Sequence, residues 1–277
     1  MKTAEPAELY LDLMKKCLTR YLFPETIQPL RRPPLTLRNL EWFAYAPLVV
    51  MLKKRGVLLC RETSVDLERR AEGRDWPADA ETMIGLKRMD NLHACIREVL
   101  RDGVAGDFIE TGVWRGGACI FMRAALAAYG DAARRVWVAD SFEGLPKPDA
   151  RYPQDAGDHH WRKKDVLGVS VERVQANFMR YGLLDDRVRF LKGWFKDTLP
   201  TAPIEKLAIL RVDGDMYSST MDALSNLYAK VSPGGYVIID DYGEIQTCRQ
   251  AVDDFRRSEQ ISAELKAIDA SGVYWRK

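Results

Sequence analysis

Apolar residues follow one pattern in the first part of the chain and another after about residue 104. In the first part they recur at helical spacing, which predicts three helices at residues 8–22, 39–56 and 82–101. Residues 24–38 contain four prolines, which predicts a loop or an arm, and residues 61–80 are polar. We therefore expect residues 1–80 to form a helical extension ahead of the main domain.

After residue 104, short unbroken apolar runs alternate with helical segments. The runs lie at residues 107–110, 136–140, 188–191, 207–213 and 235–241. The helical segments between and after them lie at about 117–129, 168–182, 217–231 and 247–260. This alternation predicts an α/β fold with a mostly parallel sheet covered on both faces. Residues 265–268 and 273–275 leave no room for a helix between them, so they predict an antiparallel hairpin at the end.

Composition and charge exclude several classes of protein. The 42 basic residues nearly balance the 40 acidic ones, so the basic stripe that nucleic-acid binding requires is not expected. No apolar stretch approaches the ~20 residues of a membrane span, and the first residues lead into no signal sequence. The five cysteines form no C-x-x-C pair, which indicates reduced, mostly buried thiols. We expect a cytoplasmic protein without nucleic-acid or membrane partners.

The first strand of the sheet leads into a glycine-rich turn, Glu110-Thr111-Gly112-Val113-Trp114-Arg115-Gly116-Gly117. Glycines in such a turn let a ligand approach the backbone, and the following helix offers free N–H groups. The spacing differs from the G-x-G-x-x-G of pyrophosphate-binding turns. This difference fits a cofactor without a phosphate, such as S-adenosylmethionine, whose ammonium group suits the carboxylate of Glu110. Tight packing of the chain is the alternative explanation for the glycines.

Two further strand ends carry residues suited to a nucleoside. Asp140 ends the second strand and can accept hydrogen bonds from both ribose hydroxyls, or it can cap the turn before Phe142. Trp194 and Phe195 follow the third strand, where they could line an adenine site or belong to the core. The residues alone leave both alternatives open.

Four carboxylates follow the fourth and fifth strands, in Asp213-Gly214-Asp215 and Asp240-Asp241. Ligands of open α/β sheets bind at the carboxyl ends of the strands, so these groups should meet at one edge. Clustered carboxylates repel each other unless a cation or a shared proton neutralises them. Oxygen ligands favour Mg²⁺, with Mn²⁺ or Ca²⁺ as alternatives. Helix caps and surface acids are the alternative explanation, which the presence of four acids at two adjacent strand ends disfavours.

Together these motifs resemble the macrocin O-methyltransferase (TylF) family, which methylates sugar hydroxyls of macrolides and aminocoumarins. The matching blocks lie within residues 82–255, at 82–92, 110–117, 140–146, 181–184, 193–200, 210–220 and 234–242. The resemblance implies a class I methyltransferase, a Rossmann-like and mostly parallel sheet with a C-terminal antiparallel hairpin. We therefore expect residues 81–277 to form a methyltransferase domain.

The resemblance also implies roles for individual residues. Cofactor contacts are expected at Thr82, Met83, Glu110, Thr111, Gly112, Val113, Trp114, Asp140, Ser141, Phe142, Glu143 and Gly144, to which we add Trp194. The implied metal ligands are Asp213, Asp240 and Asp241, with Asp215 as general base; spacing alone does not separate Asp213 from Asp215. Residues 145–168 look like the family's mobile lid, and its His159 and His160 are more simply explained as structural or solvated residues.

The expected function is an S-adenosylmethionine- and Mg²⁺-dependent O-methyltransferase acting on a sugar hydroxyl of a glycosylated natural product, as in antibiotic biosynthesis. Residues 1–80, which match more loosely, are expected to carry acceptor selection and the subunit contacts of a homodimer or larger homo-oligomer. Alternative acceptors are a nucleotide-linked sugar, a polysaccharide or a catechol-like diol. An NAD-dependent oxidoreductase is disfavoured by the glycine spacing, and a phosphoryl-processing metalloenzyme by the lack of a P-loop.

Overall fold

The computed structural model describes residues 5–24, 27–30, 41–62 and 64–277. Its strands are β1 (Ile27–Pro29), β2 (Cys60–Glu62), β3 (Asp107–Thr111), β4 (Val136–Asp140), β5 (Val188–Lys192), β6 (Leu207–Val212), β7 (Val231–Ile239), β8 (Lys266–Ala267) and β9 (Val273–Arg276). Its α-helices are α1 (Pro6–Leu18), α2 (Glu41–Lys54), α3 (Leu67–Ala71), α4 (Leu86–Arg101), α5 (Gly117–Ala128), α6 (Lys164–Leu167), α7 (Val171–Arg180), α8 (Phe195–Thr198), α9 (Tyr217–Leu227) and α10 (Gln246–Ser258).

Seven strands form one sheet in the order β5-β4-β3-β6-β7-β9-β8. Strands β3 to β7 pair with one another in parallel, whereas β9 is antiparallel to both β7 and β8. The predicted parallel sheet and its C-terminal hairpin are therefore confirmed. Chain order runs outward in both directions from the central pair β3 and β6, which creates a crevice at their carboxyl ends.

The sheet is buried on both faces, as its continuous apolar runs predict. One face packs against α4 and α5, on which α1 packs in turn, through residues such as Leu11, Ile96 and Phe121. The other packs against α9 and α10 through Leu224 and Phe255. All six residues of β6 are buried, so this strand fixes the centre of the crevice from both sides.

The first 80 residues differ in part from the prediction. Helix α1 begins at Pro6 and ends at Leu18, and a short strand, β1, lies inside the predicted loop and pairs antiparallel with β2. Residues 25–26 and 31–38 of that predicted loop lie outside the described residues. The polar segment 61–80 contains the end of β2 and the short helix α3. Within the described ranges no helix combines the length and apolarity that a bilayer crossing requires.

Candidate active site

A cavity of about 880 Å³ lies at the carboxyl ends of the central strands. Most residues of the predicted site line it: Thr82, Met83, Glu110, Gly112, Val113, Trp114, Asp140, Ser141, Gly144 and Trp194 on one side, and Asp213, Asp215, Asp240 and Asp241 on the other. The topology thus brings the predicted cofactor residues and the four carboxylates into one chamber. Its volume falls within the usual range for small-molecule sites.

Three residues of the predicted cofactor set are not in the wall that the described residues form. Thr111 is fully buried, and its hydroxyl donates to the carbonyl oxygen of Arg211 at 3.4 Å. Phe142 packs into the core, with its ring 6.2 Å from that of Phe190. Glu143 is exposed and lies near Lys164 on the outer surface. In each case the side chain points elsewhere than its motif neighbours, which the motif alone could not reveal.

Two glycines of the turn are explained by packing against protein. Gly112 has a φ of +87°, and a Cβ atom there would lie 1.7 Å from the carbonyl oxygen of Asp213. A Cβ atom on Gly117 would lie 2.6 Å from the carbonyl oxygen of Glu81. The packing alternative therefore applies to both positions. Gly112 also lines the cavity, so it serves the packing of β3 against β6 at the site itself.

Asp140 organises the turn that surrounds it. Its Oδ2 atom accepts from the backbone N–H of Val113 at 2.8 Å, and its Oδ1 atom accepts from that of Phe142 at 2.7 Å. The capping interpretation is thus realised in the structure. Each carboxylate oxygen has a second lone pair, so Asp140 can still accept from a ligand in the cavity. Burial raises the pKa of this carboxyl group.

Three of the four carboxylates face one another on one side of the cavity. Asp213, Asp215 and Asp241 each present an oxygen atom within 4.8 Å of the others. The Oδ2 atom of Asp241 is buried and has no hydrogen-bond partner among the described residues. Burial, together with the charge of Asp240, raises the pKa of Asp213 to about 8, and burial raises that of Asp241 well above its usual range. An orphaned oxygen within a repelling oxygen cluster fits a divalent cation.

Asp240 has different surroundings from the other three carboxylates. Its Oδ2 atom accepts from Nη1 of Arg88 at 2.5 Å, and its Oδ1 atom accepts from Nη2 of Arg211. Two guanidinium groups therefore neutralise it, and it is not part of the facing group. The geometry brings together Asp213, Asp215 and Asp241, whereas the family resemblance groups Asp213, Asp240 and Asp241. The division into ligands and base stays a prediction.

The two buried arginines beside Asp240 were not predicted as part of the site. Arg211 is 1% exposed and lies in the otherwise apolar strand β6, while Arg88 projects from α4 and also donates to Asp269 at 2.9 Å. A charged residue within a strand buried on both faces needs an ionic partner. The arginine in the run Leu210-Arg211-Val212-Asp213 could therefore have predicted a buried ion pair at this site.

The predicted lid, residues 145–168, covers the cavity and is tied to its walls. Asp155 is fully buried, and its two oxygen atoms accept from the backbone N–H groups of Tyr217 and Ser218 at 2.9 Å each. The indole N–H of Trp114 donates to the carbonyl oxygen of Val166 at 2.8 Å. His159 and His160 line the cavity.

The sheet order, the hairpin and the cavity define a class I methyltransferase fold. The family described as macrocin-O-methyltransferase (TylF) matches residues 7–277. The chain therefore belongs to this family and is an S-adenosylmethionine-dependent O-methyltransferase.

Relatives of known activity cover almost the whole chain. One is the 8-demethyl-8-(2,3-dimethoxy-alpha-L-rhamnosyl)-tetracenomycin-C 4'-O-methyltransferase of Streptomyces olivaceus, 51% identical over 99% of this chain and 94% of its own. Another is the mycinamicin III 3''-O-methyltransferase of Micromonospora griseorubida, 47% identical over 100% of this chain and 99% of its own. The solved structure of the O-methyltransferase NovP superposes with a TM-score of 0.82 at 47% identity, covering 98% of this chain and 99% of that one.

Proposed function

We propose that this enzyme methylates a hydroxyl group of a sugar carried by a natural product, and that its carboxylate cluster holds Mg²⁺ for this reaction. The acceptor class is supported by the two relatives, whose names specify a rhamnosyl tetracenomycin and mycinamicin III. The single observation that carries the metal proposal is the buried Oδ2 atom of Asp241. It lacks a hydrogen-bond partner among the described residues while two further carboxylates face it.

The cofactor half of the cavity is proposed to bind S-adenosylmethionine through its polar ends. Asp140 is positioned by two backbone N–H groups and keeps lone pairs for the ribose hydroxyls. Glu110, at the end of β3, is the proposed partner of the ammonium group. Trp194 lines the same cavity and is the proposed contact of the adenine.

In the other half, Asp213 and Asp241 are the proposed ligands common to the family pattern and the observed geometry. Asp240 is the third ligand by resemblance, and it keeps a second lone pair on each oxygen. These carboxylates would hold Mg²⁺, which would supply the Lewis acidity that lowers the pKa of an acceptor hydroxyl. Asp215 is the proposed base: it takes the hydroxyl proton as the C–O bond forms and the methyl–sulfur bond breaks. The chain's other contribution is to orient the two reactants.

Native mass spectrometry with a nucleotide panel tests the donor, and an acceptor panel tests the substrate. S-adenosylmethionine should bind, and NAD should not. With Mg²⁺ present, the rhamnosyl tetracenomycin, mycinamicin III and a simple catechol would each be assayed for gain of one methyl group. Methylation of a glycoside supports the proposal. Methylation of the catechol alone would reassign the enzyme to the catechol-like alternative, and NAD binding would favour an oxidoreductase.

A further inference from the structure

Arg211 joins carboxylates from three adjacent strand ends. Its Nη1 atom donates to Glu110, at the end of β3, and to Asp213 at 2.8 Å, just after β6. Its Nη2 atom donates to Asp240, just after β7. Since β6 lies between β3 and β7 and Arg211 is 1% exposed, one buried guanidinium ties the three ends together.

The partners of Arg211 belong to different halves of the cavity. Glu110 is on the cofactor side, where the Sγ atom of Cys119 also donates to it at 3.0 Å. Asp213 and Asp240 are on the carboxylate side. Building on the proposed function, we infer that Arg211 is a positioning residue that couples the two binding sites. It holds the cofactor carboxylate and the metal carboxylates in one unit, so that filling either site orders the other.

The chemistry of arginine suits this role better than that of lysine. The guanidinium group is planar and presents donors in a rigid fork, so it can serve carboxylates on different sides at once. A lysine ammonium group is a single point donor on a flexible stem, and from β6 it would serve fewer of the three partners. Arg211→Lys therefore keeps the charge but breaks the geometry.

The shared guanidinium group sets the sign of the coupling. Asp213 and Asp240 accept from the same Arg211 side chain that donates to Glu110. If Asp213 and Asp240 are fixed by a bound cation, the guanidinium group between them is fixed as well, and Glu110 is held in one orientation before the cofactor binds. The second ligand would then meet a site that is already ordered, so we expect positive coupling.

Isothermal titration calorimetry tests the inference with S-adenosylhomocysteine and Mg²⁺, without any acceptor. In the wild-type protein, each ligand should raise the affinity of the other by the same factor, about 5-fold or more. In Arg211→Lys, both affinities should weaken, and the coupling factor should fall below about 2-fold. The change in coupling distinguishes positioning from general damage, which would lower affinity alone.

Two matched variants control for the substitution. Arg123→Lys changes another buried arginine, which pairs with Asp185 on α5's side of the sheet, and it should leave both affinities and the coupling unchanged. Arg88→Lys alters a residue that bonds Asp240 and Asp269, so it should weaken Mg²⁺ binding while coupling through Glu110 persists. Circular dichroism and thermal melting establish that each variant is folded.

The results separate failure of this inference from failure of the proposed function. If the wild-type protein binds no S-adenosylhomocysteine or no Mg²⁺, the proposed function itself fails. If both bind and a folded Arg211→Lys keeps wild-type coupling, the role of Arg211 is overturned. Should Arg211→Lys not fold, Glu110→Gln removes one partner and leaves the arginine in place. Loss of coupling in Glu110→Gln supports the inference, and unchanged coupling overturns it.

Discussion

The two halves of the cavity are held in shape by different forces. On the cofactor side, Asp140 is fixed by backbone N–H groups, and Gly112 and Gly117 let chain segments approach closely. On the other side, carboxylates repel one another and are restrained by buried arginines. Protein groups alone therefore hold the first half in shape. In the second half, the Oδ2 atom of Asp241 has no hydrogen-bond partner in the described part of the chain, and a cation would satisfy it.

The largest effects are expected from neutralising single carboxylates of the second half. Asp215→Asn should reduce turnover by about 10²–10⁴-fold, the usual contribution of a positioned base. Affinities for Mg²⁺ and cofactor should stay nearly unchanged. Added Mg²⁺ should not restore the rate, whereas a higher pH should increase it by ionising more of the hydroxyl.

Asp213→Asn is the matched comparison, because it removes one negative charge from the same cluster at nearly constant volume. As a ligand variant it should weaken Mg²⁺ binding, and high Mg²⁺ should partly restore turnover. Metal titrations and rates on both variants decide the roles. The opposite pattern would exchange ligand and base, which is the arrangement that the facing group of Asp213, Asp215 and Asp241 also permits.

Gly112→Ala should damage both halves, because the added methyl group would meet the carbonyl oxygen of Asp213. Strain at positive φ together with overpacking should lower the free energy of unfolding by about 2–4 kcal/mol. Gly130→Ala is the control, since Gly130 also has positive φ but no described atom within 4 Å of the added Cβ. Urea denaturation should show a loss of only about 1–2 kcal/mol there. Equal losses would remove the steric argument.

Asp140→Ala should affect the cofactor half alone. It removes the proposed acceptor of two ribose hydrogen bonds, each worth about 1.5–3 kcal/mol when one partner is charged. Affinity for S-adenosylmethionine should fall at least about tenfold, while Mg²⁺ affinity stays near the wild-type value. Calorimetry on the folded variant measures both, and unchanged cofactor affinity would place the ribose partner elsewhere.

The last expected effect is a pH dependence in the stability of the metal-free protein. The pKa of Asp213 is raised to about 8 by burial and by Asp240, against about 3.9 in an unfolded chain. Between these values the folded state binds the extra proton, so its stability falls as pH rises toward 8. Melting temperature in chelator should therefore decline from about pH 6 to about pH 9, and Mg²⁺ should raise it more at the higher pH. A decline that persists unchanged in Asp213→Asn would assign it to other groups.

Much of the fold could be predicted because each strand of the sheet is a continuous apolar run separated by a helical segment. The bounds of single elements were less predictable. Strand β7 begins at Val231, which was predicted as the last residue of a helix, and β1 lies in a proline-containing segment. Its pairing with β2 depends on a contact distant in sequence, which local periodicity does not encode.

The candidate site, like the fold, could be predicted only in part. Parallel topology brings strand ends together, so Asp140, Asp213 and Asp241 could be placed at one edge from sequence. Side-chain direction could not be predicted. For that reason Thr111, Phe142 and Glu143 were expected at the cavity, although their side chains point away from it. The partners of Asp240 were also missed, because Arg88 is remote in sequence and Arg211 was counted as part of an apolar run.

The metal dependence of methyl transfer tests the central proposal most directly. Enzyme dialysed against chelator would be assayed with S-adenosylmethionine and the acceptor found in the glycoside panel, then reassayed after addition of Mg²⁺. We expect activity to disappear in chelator and to return with Mg²⁺, because the facing carboxylates repel one another without a cation. Full activity in excess chelator after dialysis would contradict the assignment of this cluster as a metal site.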